Sequence, residues 1–160
     1  ALIDRMASTQ EIQNSDAILA IEARGFIFGS AIALYSGKPM IVARKPNKLP
    51  GELIMKEYEL EYGTNLLAIQ RKSIEKYQKF NVVDDILATG GTAKCVSDLL
   101  LSVGKVIEGY SMVIELKYAV KPSAKAKHRL AWPSPISTEA STRIKILISY
   151  HLAISSITFK

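Results

Sequence analysis

Apolar and polar residues run along this chain in blocks whose period changes from helix-like to strand-like and back. Leu2, Met6 and Ile12 are sparse apolar points in a polar stretch, which predicts an amphipathic helix over 2–14. Asp16-Ala17-Ile18-Leu19-Ala20-Ile21 is a short apolar run, consistent with a buried parallel strand. Gly25 to Ser36 reads as the following helix, and Gly37-Lys38-Pro39 ends it. Met40-Ile41-Val42-Ala43 predicts a second apolar strand, and Arg44 to Gly51, with two prolines and three basic residues, predicts a loop. Leu53 to Tyr62 alternates apolar and acidic positions, the mark of a β-ribbon arm, with Leu66-Leu67-Ala68-Ile69 as its return strand. Asn81-Val82-Val83 is the next core strand, Thr92 to Val103 the next helix, and Val106 to Leu116 a further strand region. Strands alternating with helices imply an α/β fold with a mainly parallel sheet flanked by helices. Ligands of such sheets bind beyond the carboxyl ends of the strands, where Glu22, Arg44 and Asp84 fall.

The densest chemistry follows Val83, in Asp84-Asp85-Ile86-Leu87-Ala88-Thr89-Gly90-Gly91-Thr92. The pattern is a strand that ends on two carboxylates, then a small-residue loop, then a helix start. Ala88 to Thr92 offers backbone N–H groups and two hydroxyls without bulky side chains, and a helix N-terminus there favours a phosphate. Asp84 and Asp85 stand where two carboxylates accept hydrogen bonds from the vicinal hydroxyls of a ribose. A diol binder beside a phosphate nest describes a site for a 5-phosphorylated sugar. The loop lacks the GxxxxGK[ST] spacing of a Walker A motif. Taken alone, an Asp pair before a Gly-rich turn is equally an ordinary helix cap.

Composition narrows the class. The chain has 160 residues, 48% hydrophobic and 22% charged, which suits one globular domain with a real core. No apolar run approaches the ~20 residues needed to cross a bilayer, so no membrane partner is expected. There is no N-terminal signal pattern, although the chain begins at Ala1 rather than Met, which leaves an earlier leader open. Cys95 is the single cysteine, which rules out an internal disulfide, fits a cytoplasmic location and reads as a packing residue. The net charge of +6 is unevenly placed: residues 1–116 hold 13 basic and 14 acidic residues, residues 117–160 hold 8 basic and 1 acidic. All nine glycines fall at or before Gly109. The basic tail carries no nucleic-acid-binding motif, so a nucleic-acid partner is not expected.

The string from Val82 to Thr92 closely resembles the phosphoribosyl diphosphate signature of the type I phosphoribosyltransferases, in a wording most similar to the adenine phosphoribosyltransferase family. Three more segments match that pattern in order. Ile21-Glu22-Ala23-Arg24-Gly25-Phe26-Ile27-Phe28-Gly29 is a strand turning into a helix start, and the resemblance assigns Arg24 to the diphosphate, a role that an Arg fork at free N–H groups suits. Arg44-Lys45-Pro46-Asn47-Lys48-Leu49-Pro50-Gly51 gathers cations that repel one another unless an anion meets them, and the resemblance gives Arg44, Lys45 and Lys48 to the diphosphate and its surroundings. Tyr58-Glu59-Leu60-Glu61-Tyr62-Gly63-Thr64 matches the end of a mobile arm, with Glu61 in the catalytic position and Tyr62 covering the site. A lid that excludes water protects an activated sugar from hydrolysis.

The resemblance spans about residues 16–118 and implies a type I phosphoribosyltransferase core over 1–118 with a β-arm as lid. It implies transfer of the 5-phosphoribosyl group from phosphoribosyl diphosphate to adenine, giving AMP and diphosphate, as in purine salvage. Another purine as acceptor, or a non-catalytic phosphoribosyl diphosphate sensor or inactive remnant, are the alternatives. Asp84, Asp85, Ile86, Leu87, Ala88, Thr89, Gly90, Gly91 and Thr92 are expected around the ribose 5-phosphate. Mg²⁺ is expected to arrive mainly on the substrate, without a dedicated protein ligand set, and a homodimer is expected. The family's N-terminal hood, which contacts the adenine ring, has no counterpart before Ala1, which leaves base recognition open. After Lys117-Tyr118 the chain departs from the family pattern: residues 119–160 are either a true extension or read-through in another frame, and the change in charge and glycine use favours the second. His128 and His151 lie in this tail and receive no metal or catalytic role.

Overall fold

The structure, a computed structural model, describes residues 2–59 and 64–115. The elements run α1 (Leu2–Ala7), α2 (Gln10–Asn14), β1 (Ala17–Ile21), α3 (Gly25–Ser36), β2 (Met40–Ala43), a 3-10 turn (Pro46–Lys48), β3 (Leu53–Glu59), β4 (Thr64–Gln70), α4 (Arg71–Ile74), β5 (Lys79–Leu87), α5 (Gly91–Ser102) and β6 (Val106–Glu115). A four-stranded parallel sheet in the order β2-β1-β5-β6 forms the centre, and β3 and β4 form a separate antiparallel ribbon.

The predicted helix over 2–14 is two short helices. The Ser8 hydroxyl donates to the Asp4 carbonyl and the Thr9 hydroxyl to the Met6 carbonyl. These side chains satisfy carbonyls at the end of α1 and compete with continued helix, which explains the break. The other strands and helices lie close to their predicted places, with a short α4 added before β5.

β1 is buried along its whole length, as a central parallel strand covered on both faces must be. Its alternation sorts the core. Ala17, Leu19 and Ile21, with Phe80 and Val82 of β5, pack against Val96, Leu99 and Leu100 of α5 and against Leu67 and Ile69 of the ribbon. Ile18 and Val83 face the other way, onto Met6, Ile12, Ile32 and Ala33 of the three N-terminal helices. Each such side chain removed from water contributes roughly 1.5–3 kcal/mol. Right-handed crossovers demand this division: β1–α3–β2 runs toward one edge and β5–α5–β6 toward the other, so α3 and α5 lie on opposite faces. A crevice therefore opens between β1 and β5, at the carboxyl ends where the strand order reverses.

Two glycines let α3 reach its place. A Cβ on Gly29 would lie 2.5 Å from the Ala20 Cβ, so the helix rests directly on β1. At the far end Gly37 takes φ 69°, a left-handed turn whose N–H closes on the Ala33 carbonyl and stops the helix.

Candidate functional site

A cleft of about 260 Å³ occupies that crevice. Its wall includes Glu22, Ala23 and Arg24 from the turn after β1, Lys45 from the turn after β2, and the unbroken run from Asp84 to Ala93. Tyr58, Asn65 and Leu67 of the ribbon and Met112 of β6 complete it.

The acidic wall differs from expectation in one respect. β5 does not end on its carboxylates but continues through Leu87, because β6 extends beside it and pairs Asp84 with Met112, Ile86 with Ile114 and Leu87 with Glu115. The Asp84 carboxylate accepts the Asp85 N–H at 2.9 Å. Burial, reinforced by the charge of Asp85, pushes the Asp84 carboxyl up to about 6. Asp85 is shifted down: burial raises it, but the hydrogen bond from the Arg24 guanidinium outweighs that. One Asp85 oxygen holds Arg24, and the other is buried without a hydrogen-bond partner.

Beyond the strand, Ala88 to Thr92 turn into α5. Gly90 adopts φ 80° at the helix start, a conformation that a side chain disfavours. The Thr89 hydroxyl accepts the Gly91 N–H at 3.4 Å, while the N-cap residue Gly90 has no side chain to cover the helix N-terminus, which lines the cleft. The opposite wall starts another helix: Arg24 is the N-cap residue of α3, largely exposed, and the Glu22–Ala23 peptide bond before it is cis. Gly25 allows this turn to lie against β5, since a Cβ there would come within 2.9 Å of the Val83 carbonyl and 3.0 Å of an Asp84 oxygen.

The basic loop is organised rather than splayed in solvent. Arg44 Nη2 donates to Glu22 Oε1 at 3.0 Å and Lys48 Nζ to the same oxygen at 2.9 Å, while the Lys45 N–H donates to Oε2 at 3.0 Å. Burial works to raise the Glu22 carboxyl, yet these three donors together hold it down to about 2. The Arg44 guanidinium also lies 5.6 Å from the centre of the Phe26 ring, and its main chain bridges to Ala68 at the foot of the ribbon.

The structure thus brings Arg24, Lys45 and Asp84 through Thr92 to one cleft. Arg44 and Lys48 stand one layer out, joined to the cleft through Glu22. Glu61 and Tyr62 lie outside the described residues, as does the tail over 119–160. Glu22 is the site residue that sequence reasoning placed at a strand end without giving it a part. Its signal was a single carboxylate beside Arg24 and opposite three cations. Cys95 is buried, its thiol pushed up to about 11 by burial, with Sγ 3.5 Å from the Lys56 carbonyl, as a packing residue should be. Among the described residues no three His, Cys, Asp or Glu side chains gather as a metal site, and no helix is long and apolar enough to cross a membrane.

A parallel sheet that carries an acidic pair and a glycine turn on one side of its switch point, and an arginine turn on the other, is the fold of the type I phosphoribosyltransferases. No protein-family model matches the chain. It is 63% identical over 115 residues to an adenine phosphoribosyltransferase of Prochlorococcus marinus (strain MIT 9211), an alignment covering 72% of this chain and 67% of that protein. The crystal structure of adenine phosphoribosyltransferase from Thermoanaerobacter pseudethanolicus superposes with a TM-score of 0.68 at 39% identity, covering 74% of this chain and 69% of that one. The Saccharomyces cerevisiae enzyme, solved with an imino-altritol bisphosphate and adenine, matches at a TM-score of 0.63 and 36% identity, covering 74% and 65%. The chain belongs to the adenine phosphoribosyltransferase family, and spans about two thirds of the length of the curated relatives it matches.

Proposed function

We propose that this protein joins adenine to phosphoribosyl diphosphate, forming AMP and releasing diphosphate in purine salvage. The observation that carries the reading is the pairing of two strand carboxylates with a helix N-terminus in one switch-point cleft, opposite an arginine turn. The acceptor is adenine because the chain's relatives carry that name and the yeast relative was solved with adenine.

In this reading the N-terminus of α5 and the Ala88–Thr92 loop hold the 5-phosphate, which the helix dipole favours. Asp84 and Asp85 accept the ribose hydroxyls. Asp84 does so in its ionised form, so neutral pH suits it better than pH 5. Arg24, its side chain largely exposed, exchanges Asp85 for the departing diphosphate, and Lys45 adds charge from the neighbouring turn after β2. Positive charge grows on the sugar as the glycosidic bond to diphosphate breaks, while negative charge grows on the leaving group. Cations set in advance around the latter lower the barrier electrostatically. Glu61 handles the proton on the base or steadies the cationic sugar, and Tyr62 helps keep water from the reacting sugar.

Mg²⁺ fits this site in a limited way. The partnerless Asp85 oxygen is a hard donor of the type Mg²⁺ prefers, but the acidic pair alone is too few ligands for a cage. The ion would travel on the diphosphate and neutralise its charge, with Asp85 and Asp84 as the protein groups nearest to it. The reading includes a homodimer, to which α3 lends an outward apolar stripe of Ile27, Leu34 and Tyr35. It also includes a cytoplasmic location, where a lone buried thiol stays reduced.

The test is incubation with Mg²⁺, phosphoribosyl diphosphate and each purine base in turn. AMP formed with adenine alone is the expected result. Turnover with hypoxanthine or guanine instead would move the acceptor, and thermal stabilisation by phosphoribosyl diphosphate without turnover would mark a sensor.

A further inference from the structure

We infer that Glu22 is a positioning residue for the leaving-group pocket: it draws the loop carrying Arg44, Lys45 and Lys48 onto the turn carrying Arg24, so that a diphosphate meets both segments at once. The inference rests on the proposed transferase reading only for the identity of the anion, since its evidence is the geometry of the carboxylate.

Both oxygens of Glu22 are engaged, one by Arg44 Nη2 and Lys48 Nζ and the other by the Lys45 N–H, all at 2.9–3.0 Å. The side chain is only 11% exposed, whereas Arg44 and Lys48 are 31% and 48% exposed, so the carboxylate sits at the root of the cluster and the cations reach outward from it. Its own backbone joins the same two segments, the Glu22 N–H donating to the Ala43 carbonyl at 3.0 Å. Two residues along, Arg24 crosses to Asp85 on the opposite wall. The other ties of this loop, the Arg44–Ala68 bridge, its own 3-10 turn and the Gln70 side chain donating to the Pro50 carbonyl at 2.9 Å, fix it to itself and to the ribbon, whereas Glu22 ties it to the turn after β1. Without the carboxylate, three like charges within a few residues would spread apart.

A rival account makes Glu22 a competitor that screens the cations from an incoming anion. The two accounts predict opposite signs. Positioning predicts that removing Glu22 weakens diphosphate, and screening predicts that removing it tightens diphosphate.

The measurement is isothermal calorimetry of inorganic diphosphate with Mg²⁺ on the full chain and on Glu22→Ala, Glu22→Gln and Glu22→Asp, beside steady-state kinetics. A loop cation carried out of place loses its own charge-assisted bond to the anion, worth about one order of magnitude in affinity, so Glu22→Ala should weaken diphosphate by about tenfold or more. Glu22→Gln keeps the shape and one acceptor and should fall between Ala and wild type. In kinetics the KM for phosphoribosyl diphosphate should rise with that loss, while the KM for the purine base moves less than about twofold. Unchanged or tighter diphosphate binding in Glu22→Gln, with its Tm within a few degrees of wild type, overturns the inference. So does an equal rise in both KM values. If Glu22→Ala fails to fold, the Gln and Asp variants carry the same comparison. Wild-type chain that binds diphosphate but forms no AMP would remove the transferase reading and leave the role of Glu22 standing.

Discussion

Asp84, within β5, and Glu22, just past the end of β1, are both carboxylates of the cleft, and their surroundings drive them in opposite directions. Asp84 gains one N–H bond but stands buried beside a second carboxylate, so its neutral form is favoured and its pKa reaches about 6. Glu22, though burial opposes it, meets three donors of which two are cations, and stays ionised down to about 2. A carboxyl raised in the folded state favours folding fully below its ordinary value of 3.8, and that contribution is lost as pH rises through about 6. Asp84→Asn keeps the acceptor for the Asp85 N–H and removes the titration. Its Tm should exceed wild type by a few degrees at pH 8, on the order of 1 kcal/mol after solvent screening, and differ little at pH 4. Thermal melts at the two pH values check this, and an equal difference at both would refute it. The same titration predicts a rising KM for phosphoribosyl diphosphate in wild type as pH falls below about 6. Both aspartates were legible in the sequence because the motif is contiguous. The coupling of Glu22 to Lys48 was not, because it joins residues 26 positions apart.

At the scale of elements, α3 and β1 illustrate how closely the cleft depends on packing behind it. The helix carries Arg24 at its first turn and rests on Ala20 through Gly29. Gly29→Ala would gain about 1 kcal/mol of helix propensity. It would also drive a Cβ against another Cβ that β1 holds in place, and overpacking of that kind costs about 1–3 kcal/mol. The clash should prevail, lowering the urea midpoint at unchanged slope, and moving α3 away from β5 should weaken phosphoribosyl diphosphate as well. Equal or higher stability would mean that the helix can slide. Sequence periodicity found α3 and the central strands because their residues are mostly apolar, and α5 because its apolar residues recur with helical spacing. It merged α1 with α2 because the break between them depends on where the Ser8 and Thr9 hydroxyls turn, and composition does not encode that. It also ended β5 too early, since polar Asp84 and Asp85 look like a strand end while β6, supplied from far along the chain, keeps the ladder going.

For the whole molecule, the outward face of α3 carries large exposed apolar side chains. Ile27, Leu34 and Tyr35 are 68%, 81% and 65% exposed, spaced seven and eight residues apart so that they share one stripe. If a second copy covers it, Leu34→Lys should convert the wild-type dimer to monomer in sedimentation equilibrium while the far-ultraviolet spectrum stays unchanged. A dimer of undiminished affinity would place the contact elsewhere. The ribbon is the other large-scale feature. Lys56 of β3 pairs with Asp98 of α5 at 2.9 Å, and Asp98 pairs in turn with Lys94 at 2.7 Å. The base of the arm is therefore tied to the helix whose N-terminus faces the cleft.

Alternating apolar blocks and one contiguous motif were enough to determine the α/β class and the family, and to pick out the run from Asp84 to Thr92 that the cleft gathers. Those signals are local: period, turn residues and a run of nine neighbours all lie within one stretch of chain. The tertiary structure alone decided that Arg44 and Lys48, both expected near the diphosphate, grip Glu22, and that Asp85 holds Arg24 across the cleft. The physical reason is that the parallel order β2-β1-β5-β6 brings the ends of distant strands side by side. Charge pairing across that junction depends on distances that no spacing along the sequence expresses.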